Sequence, residues 1–134
     1  MTFKGPSIGS PSRKGGSQSS KPQYKVREEI EFSVSDGSRF VQILDALGLR
    51  PVFRYEKFRT TYSFRGIPSV AIELDETPVG NYLELEGSYA AIDRAAARLG
   101  YARKDYLTET YGHLYLSECR RKGIKPTDML FPAT

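Results

Sequence analysis

The sequence contains a single cysteine, Cys119, and a single histidine, His113. The lone cysteine excludes an intrachain disulfide bond. Only proximity in the sequence would support a nucleophilic Cys-His pair, so we expect structural roles for both residues. Gly15-Gly16 lacks the GxxxxGKS/T context of a P-loop, which excludes that phosphate-binding motif.

Long apolar runs are also absent. No segment approaches the roughly 20 apolar residues of a membrane span, and no apolar run follows a basic start as in a signal peptide. We therefore expect a cytoplasmic protein that does not enter a membrane. The 39% hydrophobic content predicts one domain over residues 1–134 with its own core. The net charge of +4 favours polyanionic partners.

Hydrophobic periodicity predicts an α+β chain with the order strand, helix, three strands and two helices. Residues 5–22 are rich in Gly, Ser and Pro, and we expect them to form a flexible loop. The predicted strands, of which the last three should form an antiparallel meander, cover 23–34, 52–64, 69–75 and 81–86. The predicted helices follow apolar stripes that end near Gly48, Gly100 and Gly123.

Ionisable residues recur at every second position of these strands, so each set lies on one face of its strand. If the strands pair, the sets meet as one surface that carries both signs of charge. Such a surface suits a triphosphate with a divalent metal. The four sets are Lys25, Arg27, Glu29 and Glu31; Lys57 and Arg59; Glu73 and Asp75; Glu84 and Glu86.

The carboxylates of this surface are candidate metal ligands. Glu84 and Glu86 share one strand face, and Glu73 or Asp75 would lie across the hairpin. Together they offer the hard oxygen ligands that Mg²⁺ or Mn²⁺ prefers. The alternative is a solvated face with ion-paired neighbours. Glu29 is a weaker candidate ligand, because it is equally suited to hold nearby cations in ion pairs.

The cations of this surface suit phosphate recognition, because Arg offers a planar fork and Lys a compact charge to phosphate oxygens. The candidates are Lys25, Arg27, Lys57 and Arg59. Basic strands also bind nucleic acid in other proteins. Here the interleaved carboxylates would repel a phosphodiester backbone, so nucleic acid is disfavoured as a partner.

A series of short blocks resembles the CYTH superfamily, the triphosphate tunnel metalloenzymes, and most closely class IV adenylyl cyclases. The resemblance spans nearly all of the chain after residue 3. The blocks are Phe3-Lys4-Gly5-Pro6, Lys25-Val26-Arg27-Glu28-Glu29-Ile30-Glu31, Glu56-Lys57-Phe58-Arg59, Glu73-Leu74-Asp75-Glu76-Thr77-Pro78-Val79-Gly80 and Asn81-Tyr82-Leu83-Glu84-Leu85-Glu86-Gly87.

The resemblance implies an antiparallel β-barrel whose charged interior binds a triphosphate and whose outer face is covered by helices. It implies Mg²⁺ or Mn²⁺ as cofactor, with Glu84, Glu86 and either Glu73 or Asp75 gathering the metal. Glu29 matches an inward acidic position and would share either task. The inward cations that would hold the triphosphate are Lys4, Arg27, Lys57 and Arg59.

The resemblance implies conversion of ATP to cyclic AMP and pyrophosphate, or hydrolysis of inorganic or thiamine triphosphate. It assigns no catalytic side chain. The Glu-x-Glu-x-Lys signature of the family's first strand is missing from the sequence. We therefore expect a barrel that lacks its first strands, through a misplaced start, a fragment or a shortened protein. Non-catalytic binding of a nucleotide or polyphosphate is the alternative function. Open strand edges favour association, and a homodimer would close them.

Overall fold

The structure is a computed structural model that describes residues 1–6 and 24–133. Most of the predicted flexible loop, residues 7–22, lies outside the described residues. The described elements confirm an α+β chain with antiparallel sheets and three α-helices. By its contacts the chain divides into two compact units, Met1–Val52 and Phe53–Thr134. The prediction of a single domain stays a prediction.

The first unit contains a two-stranded antiparallel sheet and one helix. Strand β1 (Thr2–Lys4) pairs with β2 (Glu29–Glu31), so that Lys4 lies directly opposite Glu29. The predicted strand over 23–34 is longer than the observed β2. The reason is physical: β1 offers only three residues as pairing partners, and a strand without a partner leaves its backbone groups to water.

Helix α1 (Gly37–Ala46) confirms the first predicted helix. Asp36 caps its start, because the side-chain oxygen accepts a hydrogen bond of 3.0 Å from the backbone N–H of Arg39. Leu47 caps the end of the helix, and Gly48 follows with a φ of 79°, a left-handed conformation that glycine adopts without strain.

The second unit is built on a three-stranded meander. Its strands β3 (Phe58–Ser63), β4 (Val70–Thr77) and β5 (Gly80–Gly87) pair antiparallel in that order, which confirms the predicted meander. The predicted strand over 52–64 was wrong at its start, because β3 begins only at Phe58. Before β3, Tyr55 forms a single parallel bridge to Met129, and no neighbouring strand extends along this segment in the described residues.

Helix α2 (Tyr89–Arg98) follows β5 and packs on the apolar face of the sheet. Ala91 and Ala95 on the helix are fully buried against Ile67 and Val70. Small side chains let the helix approach the strands closely, and the buried apolar area supplies the main stabilising term. The strand faces that carry Glu73 and Asp75 therefore point away from α2, because successive side chains alternate.

The C-terminal part contains a short 3₁₀ turn (Arg103–Asp105) and helix α3 (Tyr111–Lys122). Thr110 caps α3 by accepting a hydrogen bond of 3.3 Å from the backbone N–H of His113. Gly123 ends it in the left-handed conformation, as predicted. Leu107 lies before the start of this helix. Cys119 is buried on α3, while His113 is exposed.

The described strands form two sheets rather than one closed ring of pairings. The predicted barrel, with or without its first strands, stays a prediction. None of the described helices is long and apolar enough to cross a membrane.

Candidate metal and phosphate site

The candidate site lies on the face of the meander opposite α2. The register of β4 and β5 puts Glu73 directly across from Glu84. The register of β3 and β4 puts Arg59 across from Asp75. Alternation along the strands adds Glu86 to the same face. The structure thus brings together five predicted site residues on one sheet face, and Lys57 reaches the same group from just before β3.

Three carboxylates form a group in which a cation would fit. One oxygen from each of Glu73, Glu84 and Glu86 lies within 4.8 Å of the others. Glu73 and Glu84 are half-buried, and Glu86 is exposed. Carboxylates at this spacing repel one another unless a positive charge lies between or beside them. Their oxygens are the donor type that Mg²⁺ and Mn²⁺ prefer.

Glu73 is the least well satisfied of these carboxylates. Its Oε2 atom is buried and, in the described part of the chain, accepts no hydrogen bond, although it forms an ion pair with Nη1 of Arg59. Burial raises the pKa of Glu73, and the nearby charges of Glu86, Glu84 and Asp75 raise it further, against the opposing effect of Arg59. The ionised form of Glu73 is therefore less well stabilised, relative to its neutral form, than it would be in water.

Arg59 connects all the strands of the meander through its guanidinium. Its Nε and Nη2 atoms donate to the two oxygens of Asp75, each at 2.6 Å. Nη2 also lies 2.5 Å from Glu84 Oε2, and Nη1 contacts Glu73. The hydrogen bonds to Asp75 raise the pKa of Arg59 above its usual value, although burial opposes them. One cation therefore partly neutralises three carboxylates.

Asp75 differs from the three glutamates, because it is completely buried and surrounded by donors. Its Oδ2 atom accepts hydrogen bonds from Lys57 Nζ at 2.7 Å and from Tyr111 Oη at 2.6 Å, besides the bond from Arg59. Burial alone would raise the pKa of Asp75, but the hydrogen bonds from Arg59, Lys57 and Tyr111 outweigh it and hold the pKa well below its usual range. Asp75 is therefore an ionised anchor for two cations, while Glu73 belongs to the carboxylate group.

Sequence reasoning missed Tyr111, which is not among the predicted site residues. Its ring lies under Lys57, with Nζ 5.2 Å from the ring centroid, and packs edge-on against Tyr82 at 5.5 Å. Burial and the bond to Asp75 raise the pKa of the Tyr111 hydroxyl, which therefore stays protonated. The apolar spacing of α3 predicted a packed tyrosine, but nothing in it indicated a carboxylate partner.

The other predicted residues belong to the first unit. Lys4 and Glu29 form an ion pair of 3.0 Å across β1 and β2. Lys25 is exposed and Arg27 is half-buried, and both precede β2 rather than lying in a strand. Their predicted roles stay predictions.

Comparison with known proteins gave one match. A model of the CYTH domain family matches residues 1–111 of the chain. The comparisons with curated proteins and with solved structures gave no match. The matched segment includes every residue of the sheet site and ends at Tyr111, the first residue of α3.

Proposed function

The chain belongs to the CYTH domain family, which binds triphosphates and depends on divalent metal, and we propose that it is a metal-dependent enzyme that converts ATP to cyclic AMP and pyrophosphate. The contact between Arg59 and the carboxylates of Glu73 and Glu84 on one sheet face supports the metal and triphosphate part of this proposal. A guanidinium suited to phosphate lies beside oxygens suited to a metal, as a metal-bound triphosphate requires.

We assign the metal to Glu73, Glu84 and Glu86. Two observations support the fit: the three oxygens lie within 4.8 Å of one another, and Glu73 Oε2 accepts no hydrogen bond from the described residues. We leave Asp75 out of this set, because its oxygens already accept from Lys57, Arg59 and Tyr111. When bound, Mg²⁺ or Mn²⁺ would neutralise phosphate charge and stabilise the leaving pyrophosphate or phosphate.

We assign the phosphate oxygens to Lys57 and Arg59. Both side chains remain partly accessible, with 21% and 31% of their surface exposed, although their common partner Asp75 is completely buried. The buried carboxylate fixes the two cations without covering them. Lys4, Lys25 and Arg27 of the first unit stay proposed triphosphate-binding residues, and Glu29 is proposed to orient Lys4 through their ion pair.

The nucleophile decides the reaction. A ribose 3′-hydroxyl positioned in line with the α-phosphate gives cyclisation, whereas water gives hydrolysis. The preference for cyclisation comes from the resemblance to class IV adenylyl cyclases. Hydrolysis of inorganic or thiamine triphosphate is the second candidate, because the contacts among Lys57, Arg59 and the carboxylates address only phosphate and metal.

The test is product identification. The protein is incubated with ATP, thiamine triphosphate and inorganic triphosphate, each with Mg²⁺ or Mn²⁺, and the products are separated by chromatography. Cyclic AMP and pyrophosphate from ATP would support the first reaction, and phosphate release from any substrate would support the second. Binding of all three compounds without turnover would support a non-catalytic binder. If none of them binds, the proposed function is wrong.

The E84Q/E86Q double variant tests the metal assignment. We expect metal-dependent turnover to fall by more than about 100-fold. Loss of a residue that only hydrogen-bonds to a metal ligand already costs about 10- to 100-fold, and loss of the ligand itself should cost more. E76Q is the matched control, since Glu76 is an exposed carboxylate on β4 that alternation places on the opposite face. Circular dichroism checks that both proteins fold. Full activity of E84Q/E86Q would remove these residues from the metal site.

A further inference from the structure

Tyr111 connects the sheet site to an element that lies beyond the family match. It is the first residue of α3, and the match ends at that residue. Its hydroxyl reaches across to Asp75 on β4, which is 36 positions earlier in the sequence. The remainder of α3 is therefore tied to the site through one side chain whose role the family match does not assign.

The Tyr111 hydroxyl is one of the donors that the buried Asp75 carboxylate requires. A completely buried carboxylate needs hydrogen-bond donors or positive charge around it. Lys57 and Arg59 supply charge, and Tyr111 supplies the only neutral side-chain donor to Asp75 among the described hydrogen bonds. The neutral donor satisfies part of the carboxylate without using a cation.

Removal of that donor would change how firmly Asp75 holds both cations, Lys57 and Arg59. Asp75 Oδ2 accepts from Lys57 at 2.7 Å, from Arg59 at 2.6 Å and from Tyr111 at 2.6 Å. Without the hydroxyl, this oxygen would lose one of its three donors among the described residues, and the Asp75 carboxylate would be held less firmly. A less firmly held carboxylate orients the Arg59 guanidinium and the Lys57 ammonium less well for a phosphate.

The position of the hydroxyl is itself well determined. The Tyr111 ring packs against Tyr82 at 5.5 Å and against Tyr55 at 6.1 Å between centroids. Lys57 Nζ lies over the ring at 5.2 Å, within the range of a cation–π interaction. The ring is thus held by two aromatic neighbours and one cation, so its hydroxyl can act as a rigid donor.

We propose that Tyr111 is a positioning residue that holds Asp75, and through it Lys57 and Arg59, in the arrangement that binds a triphosphate. The role rests on the proposed function, since it names what keeps the phosphate-binding cations in place. It gives α3 a part in substrate affinity in addition to its part in the fold.

The test compares Y111F with Y115F in the full chain. Y111F removes the hydroxyl and keeps the ring, so the packing against Tyr82 and Tyr55 is retained. Y115F removes a hydroxyl from the same helix that contacts Thr127 instead of the site. Calorimetry measures the affinity for inorganic tripolyphosphate with Mg²⁺. We expect Y111F to bind about 10-fold more weakly, as for loss of a hydrogen bond to a charged group, and Y115F to match the wild type.

A second measurement does not depend on the ligand. Nitrogen relaxation of the Arg59 Nε–H group reports how firmly the guanidinium is held. We expect greater mobility in Y111F and no change in Y115F. Thermal denaturation of both variants measures their loss of stability. If Tyr111 had a purely structural role, Y111F would lose stability while tripolyphosphate affinity and Arg59 mobility stayed unchanged.

The outcomes separate the two proposals. Weaker tripolyphosphate binding together with a more mobile Arg59 in Y111F supports the role of Tyr111. If Y111F retains wild-type affinity and Arg59 mobility, the role of Tyr111 is wrong and the proposed function stands. If the wild-type protein itself does not bind tripolyphosphate, the role of Tyr111 in holding a triphosphate is wrong, whereas the proposed function is decided by the test with all three substrates.

Discussion

Glu73 and Asp75 lie two residues apart on the same face of β4, yet their pKa values move in opposite directions. Burial by itself would raise the pKa of both carboxylates. For Asp75 this effect is reversed, because Arg59, Lys57 and Tyr111 donate hydrogen bonds to it. Glu73 instead pairs with Arg59 and has Glu84, Glu86 and Asp75 as acidic neighbours. The partners of a carboxylate, rather than its type or strand position, determine its role in this site.

The D75N substitution tests the anchoring role of Asp75. An amide would remove the negative charge and present its own N–H groups to donors from Lys57, Arg59 or Tyr111. Because the side chain is 0% exposed, we expect a loss of about 3 kcal/mol in the free energy of unfolding, as for other broken buried ion pairs. Urea denaturation in metal-free buffer measures it.

D45N is the matched control for D75N. Asp45 forms an ion pair of 2.9 Å with Arg50, and both side chains are more than half exposed. An exposed pair contributes at most about 1 kcal/mol. Equal losses in D45N and D75N would show that burial of Asp75 does not make it a structural anchor.

At the scale of the elements, strand β5 ends at Gly87, where its backbone passes close to the backbone of Ser69. A Cβ atom on Gly87 would lie 2.4 Å from the backbone oxygen of Ser69. Backbone cannot move away as a flexible side chain would, so strand β5 or the start of α2 must shift. The strand pairing and the direction of the chain into α2 therefore both require glycine at this position.

We expect G87A to lower the free energy of unfolding by about 3 kcal/mol, at the upper end for an overpacked site. G37A is the control, because a Cβ atom on Gly37 would meet nothing within 4 Å. Alanine there reduces the freedom of the unfolded chain, and we expect a gain of about 0.5 kcal/mol. Thermal denaturation of both variants checks the contrast, which would be absent if the Gly87 contact relaxes without cost.

The last turn of α3 carries a titratable group whose effect on stability has a defined sign. Glu118 accepts hydrogen bonds from Arg121 at 2.8 and 2.6 Å, and Lys122 lies 3.1 Å away. The bonds from Arg121, followed by that from Lys122, lower the pKa of Glu118 to about 2. A carboxylate with a lowered pKa stabilises the fold above its unfolded pKa of about 4.3, and this contribution is lost as the pH falls towards 2.

Carbon NMR of the labelled carboxylate measures this pKa directly. We expect a midpoint near 2 in the wild type and, in R121Q, a midpoint raised part of the way towards about 4.3, because Lys122 remains. K125Q changes the net charge equally and should leave the midpoint in place. A shift of the same size in K125Q would attribute the lowered pKa to overall charge rather than to the contact with Arg121.

At the scale of the whole molecule, the family, the α+β class and the order of the major elements were predictable from the sequence. Apolar residues at spacings of two and of three to four predicted the meander and the helices, and both follow from local geometry. The extents of the strands were less predictable. The alternation over 23–34 and 52–64 continues beyond the residues for which the fold provides a pairing partner. Alternating polar and apolar residues predict the two faces of a strand, but they do not show whether a neighbouring strand is present to pair with it.

By itself the sequence determined which residues share a face, because side-chain direction along a strand is set by the backbone alone. It therefore predicted Arg59, Glu73, Asp75, Glu84 and Glu86 as candidates for one surface. Only the tertiary structure decided their partners. It gave Asp75 a hydroxyl donor from 36 positions away and left Glu73 with its neighbouring glutamates. Burial and hydrogen bonding between distant segments depend on how the chain packs, and no local pattern encodes them.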